Sequence, residues 1–241
     1  HTPSKEFPGT LCWDERCEFM TRKRIGYIAL VLVLVLCAVG GGLFWALFQV
    51  PDFYAQSMAE KIDPVVRKAE AKRFTQRTLQ LVDDIKHRDK WAEEFTQLQV
   101  NSWFAEELNG QYKDLLPDGA SDPRMVIREK AVLVGFRYSH KGWSGVVSFE
   151  VKPWVPEPNQ LALEIRASKA GLIPIPLDEV LKQIASQFET RGWNVTWRQS
   201  NGNDVMIVNF GSGEKKQSVL ERIELLEGKL RVFGKGKGKK K

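Results

Sequence analysis

The stretch Val132–Val151, VLVGFRYSHKGWSGVVSFEV, decides the fold class. Val132, Val134, Phe136 and Tyr138 alternate with Leu133, Gly135 and Arg137. After a turn at His140-Lys141-Gly142, Val147, Phe149 and Val151 alternate with Ser148, Glu150 and Lys152. Successive side chains of a strand point to opposite faces, so this period predicts two strands with one apolar and one polar face. Such a pair belongs to an antiparallel sheet with one wet side. A loop at Pro156-Glu157-Pro158-Asn159 leads to a third strand, with Leu161, Leu163 and Ile165 set against Ala162, Glu164 and Arg166.

Toward the C-terminus, Gly171-Leu172-Ile173-Pro174-Ile175-Pro176-Leu177 breaks the sheet and opens a helix over 176–190. Pro176 suits the first helical position, and Asp178 and Glu179 suit the positive end of the helix dipole. Leu177, Val180, Leu181, Ile184 and Phe188 form its apolar stripe, and Arg191-Gly192 ends it. Two hairpins follow. Trp193, Val195 and Trp197 share a face, Asn201-Gly202 supplies a tight turn, and Val205 and Ile207 return. Ile223 and Leu225 then join Leu230 and Val232 through Glu227-Gly228. The tail from Gly234, GKGKGKKK, is low-complexity, and residues 235–241 read as a disordered basic tail.

Toward the N-terminus, residues 114–124 carry two Pro, one Gly and three Asp and read as a loop. Before them, Val100, Trp103, Phe104 and Leu108 mark a helix that Thr96 caps and Asn109-Gly110 stops. Further upstream, roughly Phe53 to Lys90 is charge-rich and helical, interrupted near Pro64. Phe74, Leu81, Val82 and Ile85 give it one modest apolar stripe. Residues 51–95 therefore read as a helical stalk and 96–234 as the folded domain. The fold class is α+β, with helices packed on a curved antiparallel sheet.

Ile25–Val50, IGYIALVLVLVLCAVGGGLFWALFQV, contains no Asp, Glu, Lys or Arg. At about 1.5 Å rise per residue it extends roughly 39 Å, enough for a hydrocarbon core about 30 Å thick. Residues 25–50 thus read as a transmembrane helix. Arg22, Lys23 and Arg24 precede it, and a mixed flank of Asp52, Glu60, Lys61 and Asp63 follows. The positive-inside rule predicts a single pass of the cytoplasmic (inner) membrane, with 1–24 inside and the domain extracytoplasmic. Trp45, Phe53 and Tyr54 fall where an interfacial aromatic belt is expected. A cleavable signal peptide has a shorter apolar region and small residues at its end. Phe48-Gln49-Val50-Pro51 offers bulky ones, which favours an uncleaved signal anchor. Met20 followed by TRKR and the span reads as a normal start for such a protein. Residues 1–19 are accordingly expected to be upstream sequence or a dispensable cytoplasmic tail.

The net charge is +6, but Lys235, Lys237, Lys239, Lys240 and Lys241 supply five of those charges. The rest of the chain nets +1, so no basic face for nucleic acid is expected. Of the three cysteines, Cys12, Cys17 and Cys37, none lies in the extracytoplasmic domain, so that domain relies on its core rather than on disulfides. Cys12 and Cys17 have only His1 nearby, short of the four ligands of a structural zinc site. His87 sits in a charged run and His140 in a turn, and both read as surface residues. Gly142-Trp143-Ser144-Gly145 lacks the closing glycine of G-x-S-x-G. The sequence carries no HExxH, P-loop or GxGxxG motif. The expectation is a non-enzymatic chain with no cofactor and no metal. Asn194-Val195-Thr196 matches the glycosylation sequon and reads as chance within a strand.

Three pieces carry a resemblance: the FTQLQVNSWFAEEL helix, the KAGLIPIPLDEVLKQI stretch after the strand pair, and the closing hairpin RIELLEGKLRVFGKG. Together they resemble a group of uncharacterised bacterial single-pass membrane proteins. More remotely they are similar to the YpmS-like and LmeA-like extracytoplasmic proteins, across roughly Thr96 to Gly234. The resemblance implies a tubular lipid-binding type of fold and phospholipid binding, and brings no catalytic motif. Trp103, Phe104, Leu172, Ile173, Ile175, Leu177 and Leu181 supply apolar surface for this reading. They are expected to line a groove between the 176–190 helix and the sheet that holds lipid or an acyl chain. Each methylene buried there contributes about 0.8 kcal/mol. The alternative is a structural or interaction protein of the cell envelope that recruits a protein partner through its stalk or a sheet edge.

Overall fold

The computed structural model describes residues 14–108, 110, 112–140, 142–175, 182, 186, 189–190, 194–200, 202–209 and 218–236. The chain divides into two compact units, His1–Trp45 and Ala46–Lys241. Helix α1, Asp14–Leu47, provides the described part of the first unit and ends in the second. Among the described residues it is the helix long and apolar enough to cross a membrane, and its apolar window has no buried residue. Tyr27, Leu34 and Phe44 are all exposed. Apolar surface on that scale marks a membrane or partner contact.

The second unit is α+β. It runs α2 (Asp52–Ala59), α3 (Pro64–His87), β1 (Lys90–Thr96) and α4 (Gln97–Trp103), which continues as a π-helical turn, Phe104–Leu108. The strands β2 (Ala120–Arg128), β3 (Ala131–His140), β4 (Trp143–Trp154), β5 (Gln160–Ala170) and β6 (Ile173–Pro174) follow. The chain closes with β7 (Asn194–Ser200), β8 (Asn203–Asn209), β9 (Ser218–Leu226) and β10 (Lys229–Gly236). A seven-stranded sheet has the order β2-β3-β4-β5-β8-β7, with β6 paired to β5; a three-stranded sheet has the order β1-β10-β9. Every pairing is antiparallel.

The period-two reading of β3, β4 and β5 holds. Val134 faces Phe149 and Phe136 faces Val147 on one side of the large sheet. The same side continues through the Val151–Ile165 pair to Leu163 opposite Met206, and to Leu161 and Val195 flanking Val208. Ala162, Val205 and Ile207 lie on the opposite side with Trp154. Strand β8 is covered on both faces, for Val205, Met206, Ile207 and Val208 are all buried.

Three local expectations are corrected. Lys90–Thr96 is a strand, not the end of a helical stretch. Its Ala and Glu residues favour helix, but Trp91 and Phe95 are buried and all seven residues pair with β10. Tertiary pairing overrides a weak local propensity here. Strand β2 begins at Ala120, inside the expected loop. Its register shifts between Ser121 and Arg124, so Asp122 and Pro123 stand outside the ladder. An edge strand with a bulge is where proline is tolerated. Tyr54, expected at a membrane interface, is 1% exposed. Its hydroxyl donates to Asp122 O at 2.8 Å. A Cβ on Gly135 would lie 2.9 Å from Tyr54 Cδ2 and 3.1 Å from Phe53 Cζ, so the glycine lets α2 lie close against β3.

Thr96 caps α4 as expected. Its hydroxyl accepts from Gln99 N, and the Gln99 side chain accepts from Thr96 N. This capping box aims two further amides at the outer edge of β2. Asn101 accepts from Met125 N and donates to Met125 O, both at 2.8 Å. Gln97 Oε1 accepts from Ile127 N at 3.0 Å, and Gly228 N donates to Ile127 O at 2.9 Å.

Candidate functional site

The residues expected to form one groove occupy two places. Trp103 and Phe104 end α4 and belong to a ring cluster with α3 and β1. Phe74 lies 5.4 Å from Phe95 and 5.5 Å from Trp103, and Trp103 lies 5.7 Å from Tyr112 and 6.1 Å from Phe104, between ring centroids. These rings weld α3 to the sheet end and are held by one another.

Ile173 and Ile175 belong to a second place. Ile173 pairs with Ala170, and Ile175 N donates to Ser168 O at 3.1 Å while the Ser168 hydroxyl donates to Ile175 O. Ile175 packs against the buried cluster of Ala120, Phe136 and Val147, together with Phe149, Ile165 and Trp143. Trp143 folds over Gly145, where a Cβ would collide with its ring, and Trp143 Nε1 is buried with no hydrogen-bond partner among the described residues. Leu172 is 51% exposed. Leu177 and Leu181 lie outside the described residues, as does most of the 176–190 stretch expected to be helical.

The second cluster opens onto a broad apolar face. From Phe136 and Phe149 it runs through Ile165 and Leu163 to Met206, Val208 and Val195. Leu161, Leu163, Ile165, Phe149 and Val195 are only half-buried. The opposite face carries charge: Arg166 lies 3.9 Å from Glu150 and 3.5 Å from Glu164.

A cleft of about 400 Å³ lies elsewhere, between the end of α2, α4 and the β9–β10 turn. Met58, Arg67, Asn101, Arg124, Glu227 and Lys229 are among its lining residues. Two of its cations are already paired. Arg67 pairs with Glu106, and Lys229 pairs with Glu94. Arg231 also reaches Glu94, at 2.6 Å. Hydrogen bonds from Lys229 and Arg231 hold the Glu94 carboxyl below its ordinary pKa. Burial, followed by the nearby Asp122 charge, raises the Tyr54 phenol above its ordinary value.

Among the described residues no group of three or more His, Cys, Asp or Glu is placed to hold a metal. His87 sits with Asp83 one helical turn away, and His140 stacks on Tyr138 at 6.2 Å.

Two features escaped sequence reasoning. The Gln97 and Asn101 amides stand at i, i+4 on a helix of mixed composition, but their partners on β2 are not visible in the sequence. Gly171 was visible as a breaker. The structure shows that it also permits a close approach: its φ is +59°, and a Cβ there would collide with Ala46 O and lie 2.6 Å from Leu47 O. No protein-family model matches the chain, and neither curated proteins nor solved structures give a significant match.

Proposed function

We propose that this chain is a membrane-anchored, non-enzymatic module of the cell envelope that binds a lipid acyl chain on the apolar face of its large sheet. The observation that carries the reading is that face itself. Apolar residues continue from Phe136 on β3 to Val195 on β7, and many remain half-exposed. An ordinary core leaves few such positions in one contiguous band. Trp143 Nε1 beside the band, buried and without a hydrogen-bond partner among the described residues, supplies a donor suited to an ester carbonyl. The resemblance to YpmS-like and LmeA-like proteins favours the same ligand class.

The anchor is α1, oriented with Arg22-Lys23-Arg24 in the cytoplasm and the second unit outside. Maleimide added outside intact cells should label a Ser200→Cys variant. Protection there would reverse the orientation.

The lipid reading is tested with the full chain in vesicles that contain a phospholipid carrying a photoactivatable acyl chain. Cross-links on β4, β5 and β8 support it. Cross-links confined to 25–50 contradict it.

A second reading rests on a separate observation. The side chains of β7 are nearly all exposed, and Trp197 is 40% exposed. Strand addition to such an edge recruits a protein segment through main-chain hydrogen bonds. Cross-linking to a co-purified protein through β7, with no lipid on the sheet, selects this reading.

A further inference from the structure

The last turn of a membrane helix leaves carbonyls without intrahelical donors, and lipid offers none. In α1 the Ala46 carbonyl is met by the domain. Leu172 N donates to Ala46 O at 3.0 Å, and Gln49 N donates to the same oxygen at 3.3 Å. One residue back, Gly171 N donates to Val146 O at 2.8 Å. The β5–β6 turn is therefore bonded to the sheet at Gly171 and to the helix end at Leu172. Gly171 is buried, and its missing side chain is what lets the two backbones meet.

Ala46 and Leu47 are the last two residues of α1 and lie near the C-terminal end of the apolar run Ile25–Val50. A residue bonded to Ala46 thus sits where that run leaves the hydrocarbon. Leu172 occupies this place and is 51% exposed, with Lys169 also exposed two residues before Gly171. An exposed leucine next to a cation matches the acyl-headgroup boundary of an anionic bilayer.

We infer that the Gly171–Ile173 turn is a membrane-contact tip, which caps the membrane helix through Leu172 N–H and inserts the Leu172 side chain into the phospholipid interface. The partner is the bilayer that holds α1. The tip also gives the sheet face a route to lipid. From Leu172 the chain passes through Ile173 to Ile175, which packs on the Phe136 cluster. An acyl chain leaving the bilayer at the tip meets apolar side chains all the way to β5. This route rests on the lipid reading above; the tip itself requires only that α1 be embedded.

The test uses the full chain with Cys12, Cys17 and Cys37 replaced by Ala, reconstituted in phosphatidylcholine–phosphatidylglycerol vesicles. A nitrobenzoxadiazole (NBD) probe is placed at one position at a time. Leu172→Cys carries the test. Glu129→Cys is the aqueous control, because the β2–β3 turn lies at the other end of the strands: Val132 pairs with Val151, whereas Ala170 pairs with Val147. The native Cys37, restored alone, is the control for insertion.

The expected result is a blue-shifted emission at 172 that shallow doxyl-labelled phosphatidylcholine quenches, with no quenching at 129. Gly171→Val in the Leu172→Cys background should lose the shift and the quenching while circular dichroism stays unchanged. Quenching at 37 but water-like, unquenched emission at 172 overturns the tip and leaves the anchor standing. No quenching at either position overturns both. Quenching at 172 without photo-cross-links on β4, β5 or β8 keeps the tip and removes the lipid site.

Discussion

The two edges of the seven-stranded sheet are finished differently. On β2 the Asn101 side chain satisfies both backbone groups of Met125, Gln97 takes the Ile127 N–H, and Gly228 meets the Ile127 carbonyl. On β7 the described residues show pairing to β8 alone, and nearly every side chain is exposed. Unpaired strand edges invite another chain, and proteins usually cover them. One edge of this sheet is sealed by a helix that the capping box positions. The other is the natural place for further contacts. Stability should therefore concentrate at β2, and tolerance to change at β7.

The largest break in this comparison is Asn101→Leu. It leaves the Met125 N–H and carbonyl without partners, at about 1–3 kcal/mol for each orphaned group. Chemical denaturation of the full chain in detergent should show a destabilisation of about 2–6 kcal/mol. A change below about 1 kcal/mol would mean that water replaces the amide and the edge is not sealed. Gln97→Ala should cost less, about 1–3 kcal/mol, because it orphans only the Ile127 N–H, on a residue that is itself fully buried. If the two variants are equally costly, the seal acts through helix packing rather than through the amides.

A smaller effect is expected where β10 returns beside β1. Glu94 on β1 takes hydrogen bonds from Lys229 and Arg231, which lower its pKa from an ordinary 4.5. A depressed carboxyl contributes stability that is present above the unfolded value and lost as pH falls through the folded one. The melting temperature should therefore decline below about pH 4.5, and Glu94→Gln should flatten part of that decline. An unchanged acid limb in Glu94→Gln would show that the pair is screened by solvent. The smallest effect belongs to the open edge. Arg198→Ala on β7 should shift stability by no more than about 0.5 kcal/mol. A loss as large as that of Gln97→Ala would show that β7 is covered after all.

The legible parts of the fold are those whose causes are local. Val132–Val151 alternates cleanly because its strands pair through a short turn, and Thr96 signals a helix start through Gln99 three residues on. β1 and β2 are hidden for opposite reasons. β1 is made by a distant partner, as the Arg231–Glu94 bond across 137 residues illustrates. β2 carries Asp122 and Pro123, sound loop signals that a bulge accommodates. Tyr54 follows the long apolar helix and reads as interfacial until Gly135 is seen to receive it. The described residues expected to share one groove divide between two clusters. Ile173 and Ile175 do lead onto the apolar face, but Trp103 and Phe104 belong to the α3–α4 rings. Helical spacing identifies apolar residues without saying which of two clusters they join.

The most direct test of the central claim, that the apolar sheet face binds an acyl chain, is native mass spectrometry of the full chain released from membranes. The account predicts a phospholipid mass that persists on the wild-type chain after loosely held lipid has been stripped, and that is lost in a Leu163→Lys variant that remains folded. A wild-type chain that flies bare under those conditions, or a variant that keeps the same lipid, would contradict it.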